Sequence, residues 1–295
     1  MATDISQIKA LDDFPSTPYK NTAQAICLRF RWIHGQCFQF ELPNGKTLMT
    51  DPFFPQNRKA WTRETTPMLD LDTLGRIDYV TINHPHFDHM DNLKDVFGIS
   101  KPLVICDGLF ARELSAVYEI PSFSIFPIVT GQSYHFDSFE LQTIHGSHND
   151  IGDVCDLEGR QPLFFDPDRP LFGRLNSYGS MFNTSYMFTL TNNYRIGFAA
   201  GVDVSGMAEA WRKNGPDLLL RQRLVYASPE EYADDCAALG GQLILPMHHD
   251  ACFDCNSDMN AYAEDVNTLL AVKAPHMKMF TPQRMKWYSI FSGVS

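Results

Sequence analysis

The stretch Ile77-Asp78-Tyr79-Val80-Thr81-Ile82-Asn83-His84-Pro85-His86-Phe87-Asp88-His89 decides how this chain is read. Ile77 to Asn83 is an apolar, β-branched run of the buried-strand type. It leads straight into three histidines and one aspartate. In extended backbone, residues two apart face the same way, so His84 and His86 can grip one cation. A turn into a helix then presents Asp88 and His89 to a second position. Imidazole nitrogen and carboxylate oxygen together suit zinc, manganese or iron.

Working outward, the chain has 10 histidines. Seven of them fall in three short segments: His84, His86 and His89; His145 and His148; His248 and His249. The second segment follows a predicted strand from Ser138 to Ile144, the third one from Gln242 to Met247. Polar groups held at strand ends by a rigid sheet are where α/β enzymes place their chemistry. The rest of the pattern alternates strands with helices. A hairpin is expected from Cys27 to Phe40, turning at Asn44-Gly45 and returning over Lys46 to Thr50 before Asp51-Pro52. Further strands are read at Leu103–Cys106, Ser122–Val129, Ser185–Leu190 and Arg195–Ala199. Ser228-Pro229-Glu230-Glu231 is a capping box that opens a helix to Leu239. A helix over Asp258–Val272 and a last strand at Met277–Phe280 complete the expectation. Residues 1–24 read as a surface arm and 25–295 as one domain. The stretch 150–182 is an irregular insert of the kind that serves as a lid or binding loop.

Composition bounds the function. Of 295 residues, 44% are hydrophobic and 20% charged, which is a globular balance rather than a disordered one. The net charge of −11 has the wrong sign for a non-specific nucleic-acid binder, so the expected partner is a small-molecule substrate and not a nucleic acid. No run approaches the roughly 18 apolar residues of a membrane span, and the first residues lack the form of a secretory signal. The seven cysteines are odd in number and scattered. Reduced thiols in a cytoplasm fit them best. Cys252 and Cys255 form a lone CxxC, which chance spacing explains. A homo-oligomer is compatible with all of this.

His84-x-His86-x-Asp88-His89 resembles the HxHxDH signature of the metallo-β-lactamase fold hydrolases. Other landmarks are similar and come in the same order. Leu48-Met49-Thr50-Asp51-Pro52 resembles the family's early strand end. Phe198-Ala199-Ala200-Gly201-Val202-Asp203 resembles the strand that carries its bridging aspartate. Ser228 to Asp250 resembles its closing helix, strand and last ligand. The ending Pro246-Met247-His248-His249-Asp250 and the run Asn183 to Phe188 are closest to the L-ascorbate-6-phosphate lactonase branch. The resemblance spans about residues 28–285. It implies an α/β protein built as a four-layer αββα sandwich, holding two divalent metal ions, zinc or manganese, with iron as a third option. Carried over by position, the first ion takes His84, His86 and His148. His148 is favoured over His145, which falls where relatives often have proline. The second ion takes Asp88, His89 and His248, and Asp203 bridges the pair. Two departures stand out. The family reads G-D-[ST] at the bridge, whereas this chain reads Gly201-Val202-Asp203-Val204, one residue longer. Asn83 stands where threonine is usual.

Two such ions, about 3.5–4 Å apart, lower the pKa of a shared water toward about 7 and polarise a carbonyl or phosphoryl oxygen. The implied activity is hydrolysis of a small, anionic lactone or ester by a metal-bridged hydroxide. Asp88 would be both ligand and orienter of the nucleophile. Asp51 reads equally as a carboxylate holding a ligand imidazole and as a plain strand-ending turn. His249 reads equally as a proton donor or substrate contact and as a structural histidine. His34 and His135 read as structural. Arg160, Arg169, Arg174, Arg221 and Arg223 are candidates for a phosphate or carboxylate. Phe164, Phe165, Tyr178 and Phe182 are candidate pocket walls. Other readings are a nucleotide or lipid phosphodiesterase of the same fold, a non-catalytic metal-binding descendant, and a di-iron redox protein. His86 argues against the last, because such relatives carry glutamate there.

Overall fold

A computed structural model describes residues 8–10, 26–54, 69–148, 171, 175, 178, 179, 183–224, 227–250 and 259–291. In chain order the first half comprises β1 (Ile8–Ala10), β2 (Ile26–His34), β3 (Cys37–Glu41), β4 (Thr47–Thr50), β5 (Tyr79–Thr81), α1 (Phe87–Met90), α2 (Leu93–Ser100), β6 (Leu103–Asp107), α3 (Ala111–Tyr118) and β7 (Ile125–Ile128). There follow β8 (Ser133–His135), β9 (Phe139–Gly146), β10 (Asn183–Leu190), β11 (Arg195–Ala199), α4 (Val204–Trp211) and β12 (Leu218–Gln222). The chain then runs through α5 (Pro229–Leu239), β13 (Leu243–Met247), α6 (Met259–Lys273), β14 (Lys278–Met279) and β15 (Trp287–Phe291).

These strands form two sheets, ordered β1-β15-β2-β3-β4-β5-β6-β7 and β14-β13-β12-β11-β10-β9-β8. Each is antiparallel on one side and parallel on the other. In the first, β4 to β7 run parallel, and in the second, β11 to β14 do. Strand alternation explains the layering. Leu218 and Leu220 of β12 face the other sheet and meet Phe30, Phe40, Phe188 and Leu245 in the central core. Leu219, between them, faces outward and packs with Trp211, Tyr232, Cys236 and Val266 of α4, α5 and α6. On the far side, Val80 and Val104 pack against Leu93, Val96 and Leu114 of α2 and α3. The result is the four-layer αββα sandwich expected from the sequence.

Several boundaries differ from the expectation. The run Cys27–Phe40 is two strands, because Gly35 takes a left-handed φ of +52° and reverses the chain. The stretch 204–222, which carries no clear sequence period, holds a helix and a strand. Its Leu218-Leu219-Leu220 run is too short and too uniformly apolar to reveal its period. Met277–Phe280 is not the last strand: β15 follows it and pairs with β2. Within the stretch read as an arm, Ile8–Ala10 adds an edge strand to β15. The capping box is present as read: Ser228 Oγ accepts from the Glu231 N–H (3.2 Å), and the Glu231 carboxylate accepts from the Ser228 N–H (2.9 Å). Cys37, Cys106 and Cys236 are buried thiols outside any disulfide, whereas Cys252 and Cys255 lie outside the described residues. No helix among the described residues is long and apolar enough to cross a membrane.

Candidate metal centre

The ends of β4, β5, β9 and β13 meet at one rim of the sandwich. Beyond β5 the chain is pinned at Asn83. Its N–H donates to Asp51 Oδ1 (2.7 Å), and its carbonyl accepts from the Thr184 N–H (3.1 Å). Its side-chain amide donates to Thr184 O, joining the two sheets, and its Oδ1 accepts from His84 Nδ1. That contact leaves His84 Nε2 facing the site, 3.1 Å from His86 Nδ1. The sequence marks Asn83 only as a departure from threonine. An amide beside the first histidine was the available signal.

His148, two residues past β9, completes the first set. Its ring centroid lies 4.8 Å from that of His84 and 4.6 Å from that of His86. One ligand atom from each of the three lies within 4.8 Å of the others. His145 is instead exposed on β9, so the geometry separates the two candidates as the resemblance favours. Asn183 braces this end by donating to Ser147 O (3.1 Å).

His86 is the N-cap of α1, which places Asp88 and His89 in its first turn. Asp88 Oδ2 lies 3.2 Å from His248 Nε2 and 3.7 Å from His89 Nε2. These three form the second set, again with ligand atoms within 4.8 Å of one another. The rings of His84 and His89 are 3.9 Å apart, so the two sets adjoin. Asp51 is fully buried, and its Oδ2 accepts from His89 Nδ1 at 2.9 Å. A carboxylate on the far nitrogen fixes the ring's tautomer and leaves Nε2 as the ligand. The geometry thus favours the holding role for Asp51 over a bare turn.

Charge states suit a cation. Burial, reinforced by the surrounding imidazoles, holds His84 far below the ordinary histidine range and His86 down at about 3. Both rings are neutral, the form that binds metal. Burial alone would raise the Asp88 carboxyl. The field of His89 and the hydrogen bond with His248 outweigh it and keep Asp88 ionised. Three nitrogens in one set and two nitrogens with one carboxylate in the other fit divalent zinc, manganese or iron.

His248 sits at φ +61°, unusual for a residue with a side chain. Its neighbours explain how this persists. The His248 N–H donates to Gly35 O (2.9 Å), and Asp250 Oδ1 accepts from the Gly35 N–H (2.9 Å). Asp250 Oδ2 pairs with Arg284 and faces His34 Nδ1 at 3.2 Å. His248-His249-Asp250 therefore clamps the β2–β3 turn, a role for Asp250 that the sequence did not disclose. His249 is buried with its ring stacked on Trp32, centroids 4.7 Å apart, and burial brings it down to about 4. His34 is buried in this clamp and His135 is exposed on β8, both apart from the two sets.

Asp203 is the residue that the structure does not bring in. It is exposed, and it caps α4 by accepting from Ser205 Oγ (2.8 Å) and the Gly206 N–H (3.1 Å). The extra residue accounts for this. One step along an extended strand end turns a side chain to the opposite side. Val202 takes the inner register, its N–H donating to Ser147 O (3.1 Å), and Asp203 is left to the helix. The expected bridge is corrected to a helix cap.

Within the insert, Leu175 is buried in the same apolar cluster as Val80, Val104 and Leu93, and Gly179 lies against the ring of His86. A Cβ at position 179 would stand 2.4 Å from His86 Cδ2, closer than atoms pack. Gly179→Ala therefore forces either the His86 ring or the backbone at 179 to shift, and a shift of the ring would disturb its place beside His84 and His148. Such a shift is expected to lower kcat/KM by about 10- to 100-fold, with the melting temperature little changed. Steady-state kinetics beside a thermal melt checks this, and unchanged kinetics would refute the contact. Arg160, Arg169, Arg174, Phe164, Phe165 and Phe182 lie outside the described residues.

The model of the "Beta-lactamase superfamily domain" family matches residues 29–248, well over half of the chain. This chain belongs to the β-lactamase superfamily. Among superfamily relatives it is similar to a UPF0173 metal-dependent hydrolase of Salinibacter ruber, 24% identical over 239 residues, covering 77% of this chain and 87% of that one. A UPF0173 metal-dependent hydrolase of Exiguobacterium is 25% identical over 188 residues, covering 59% and 78%. The fold is shared with a metallo hydrolase of the archaeon Ignicoccus hospitalis. That match has a TM-score of 0.61 at 13% identity, over 91% of this chain and 99% of that one. Superfamily membership and fold thus agree with the resemblance read from the six-residue motif.

Proposed function

We propose that this protein is a metal-dependent hydrolase acting on a small, anionic lactone or ester. The observation that carries the reading is the pair of adjoining ligand sets, His84, His86 and His148 beside Asp88, His89 and His248. Divalent ions held there would lower the pKa of a water and polarise the substrate's carbonyl oxygen. The chain's own residues do the rest. Asp51 keeps the proton of His89 on Nδ1, so that Nε2 stays available. Asn83 does the same for His84 by holding its Nδ1. Asp88 is the single anion in the two sets, and its ionised carboxylate can orient the attacking water by accepting a hydrogen bond from it. His84 and His89 are buried, which strengthens the interactions they make.

The test is elemental analysis of protein purified without added metal, followed by assays on lactones, carboxylic esters and phosphodiesters. About two equivalents of metal and turnover of a lactone or ester are expected, and chelation should cut the rate by at least about 10²-fold. Full turnover after the metal is stripped would sink the proposal. Turnover of phosphodiesters alone would move the reaction to the phosphodiesterase class.

A further inference from the structure

Arg221 and Arg223 leave the end of β12 on the same side, yet their circumstances differ. Arg221 is committed within the fold: Nη1 donates to Ala199 O (3.2 Å) and Gly201 O (2.6 Å), and Nη2 to Asp235 Oδ2 (2.8 Å). Arg223 is also buried, 6% exposed, but its Nε and Nη1 have no hydrogen-bond partner. No carboxylate among the described residues lies within ion-pair distance of it. Its guanidinium rests over the Tyr262 ring, 4.4 Å from the centroid. A buried guanidinium without an anion is costly, and an aromatic face repays only a small part of that cost.

The position of this cation matters. Gln222 is in register with Met247, and the Arg223 N–H donates to Met247 O (2.9 Å), so Arg223 stands abreast of the ligand residue His248. A second unspent group lies one residue further along. His249 is 4% exposed, and its Nδ1 has no hydrogen-bond partner. Two polar side chains, each more than nine-tenths buried and each with nitrogen atoms left without a hydrogen-bond partner, thus flank one edge of the candidate metal centre.

We propose that Arg223, with His249 beside it, forms an anion subsite that holds a carboxylate or phosphate group carried by the substrate. This inference rests on the hydrolase reading for its place beside the reacting bond, but not for the binding itself. The Arg223 donors would take the anion's oxygens, and His249 Nδ1 would exchange a further hydrogen bond with it. Arg221, whose two terminal nitrogens are bonded within the fold and whose Nε alone is unpartnered, takes no part.

Isothermal titration of the full-length protein, as purified, with inorganic phosphate tests the subsite without turnover. Arg223→Gln, at unchanged metal content by elemental analysis, is expected to weaken phosphate binding by about 10-fold or more. Arg223→Lys keeps the charge and should bind at an intermediate level, and it serves as the reading variant if the glutamine form does not fold. On any ester or lactone that is turned over, the glutamine variant should lose kcat/KM for the anionic compound and keep it for a neutral analogue. Phosphate binding equal to wild type in both variants overturns the inference. So does an equal loss on charged and neutral compounds. Arg223-dependent phosphate binding without any turnover would leave the subsite standing and sink the hydrolase reading instead.

Discussion

Asp88→Asn protein is expected to fold normally and to lose about 10²- to 10⁴-fold in kcat. The substitution keeps the shape of the side chain and removes its charge. Asp88 Oδ2 is the only anionic donor in the two sets, 3.2 Å from His248 Nε2 and 3.7 Å from His89 Nε2. A neutral amide cannot offset the charge of a divalent ion, and its NH2 end cannot accept a hydrogen bond from the water. Metal content should fall from two equivalents toward one, because His84, His86 and His148 form their set without this residue. Stability should change little. The environment that favours the Asp88 anion is made of imidazoles, which can rearrange their hydrogen bonds around an amide. Elemental analysis and steady-state kinetics on the same preparation check both parts. A variant with two equivalents of metal and wild-type kcat would show that Asp88 is not at the reacting centre.

Much of this centre was legible in the sequence because its information is local. Six consecutive residues carry four of the six side chains, and a strand before a helix is enough to divide them between two positions. His248 and His148 were legible because each ends a strand-like run, the kind of place a sheet rim offers. What escaped depends on contacts between distant segments. Asn83 looked like a minor replacement until Thr184, about 100 residues away, was seen to complete its hydrogen bonds. Asp250 acts on the turn at Gly35, whose position follows from a strand reversal hidden in an apolar run. Asp203 shows the reverse failure. Its neighbours in sequence matched the family's strand, but a single added residue reversed its direction, and one-residue register is what pattern reading resolves least well. Among the arginines, only the structure separates Arg221, bonded through both Nη atoms and paired with Asp235, from Arg223, whose Nε and Nη1 have no hydrogen-bond partner.

Asp51 carries the largest expected effect on stability, and two substitutions there should give separable results. The residue is wholly buried at φ +37° and serves two donors, the Asn83 N–H at 2.7 Å and His89 Nδ1 at 2.9 Å. Burial pushes its carboxyl up, and His89 and the two hydrogen bonds pull it part of the way back. Asp51→Ala leaves both donors buried and unpaired. A loss of about 3–5 kcal/mol is expected, together with loss of metal from the second set. Asp51→Asn is the more telling change. Its carbonyl oxygen can still accept from the Asn83 N–H, but its amide nitrogen then faces His89 Nδ1. Two donors cannot meet, so the His89 proton must move to Nε2, the atom that faces Asp88. A protonated Nε2 is no ligand. The asparagine variant should therefore melt closer to wild type than the alanine variant, while its affinity for the second metal drops by about 10- to 100-fold. Denaturant unfolding and metal titration, run side by side, separate the two effects. If both variants lost stability in step with metal, or if the asparagine form bound metal as wild type does, Asp51 would be a packing residue and not the group that sets the tautomer of His89.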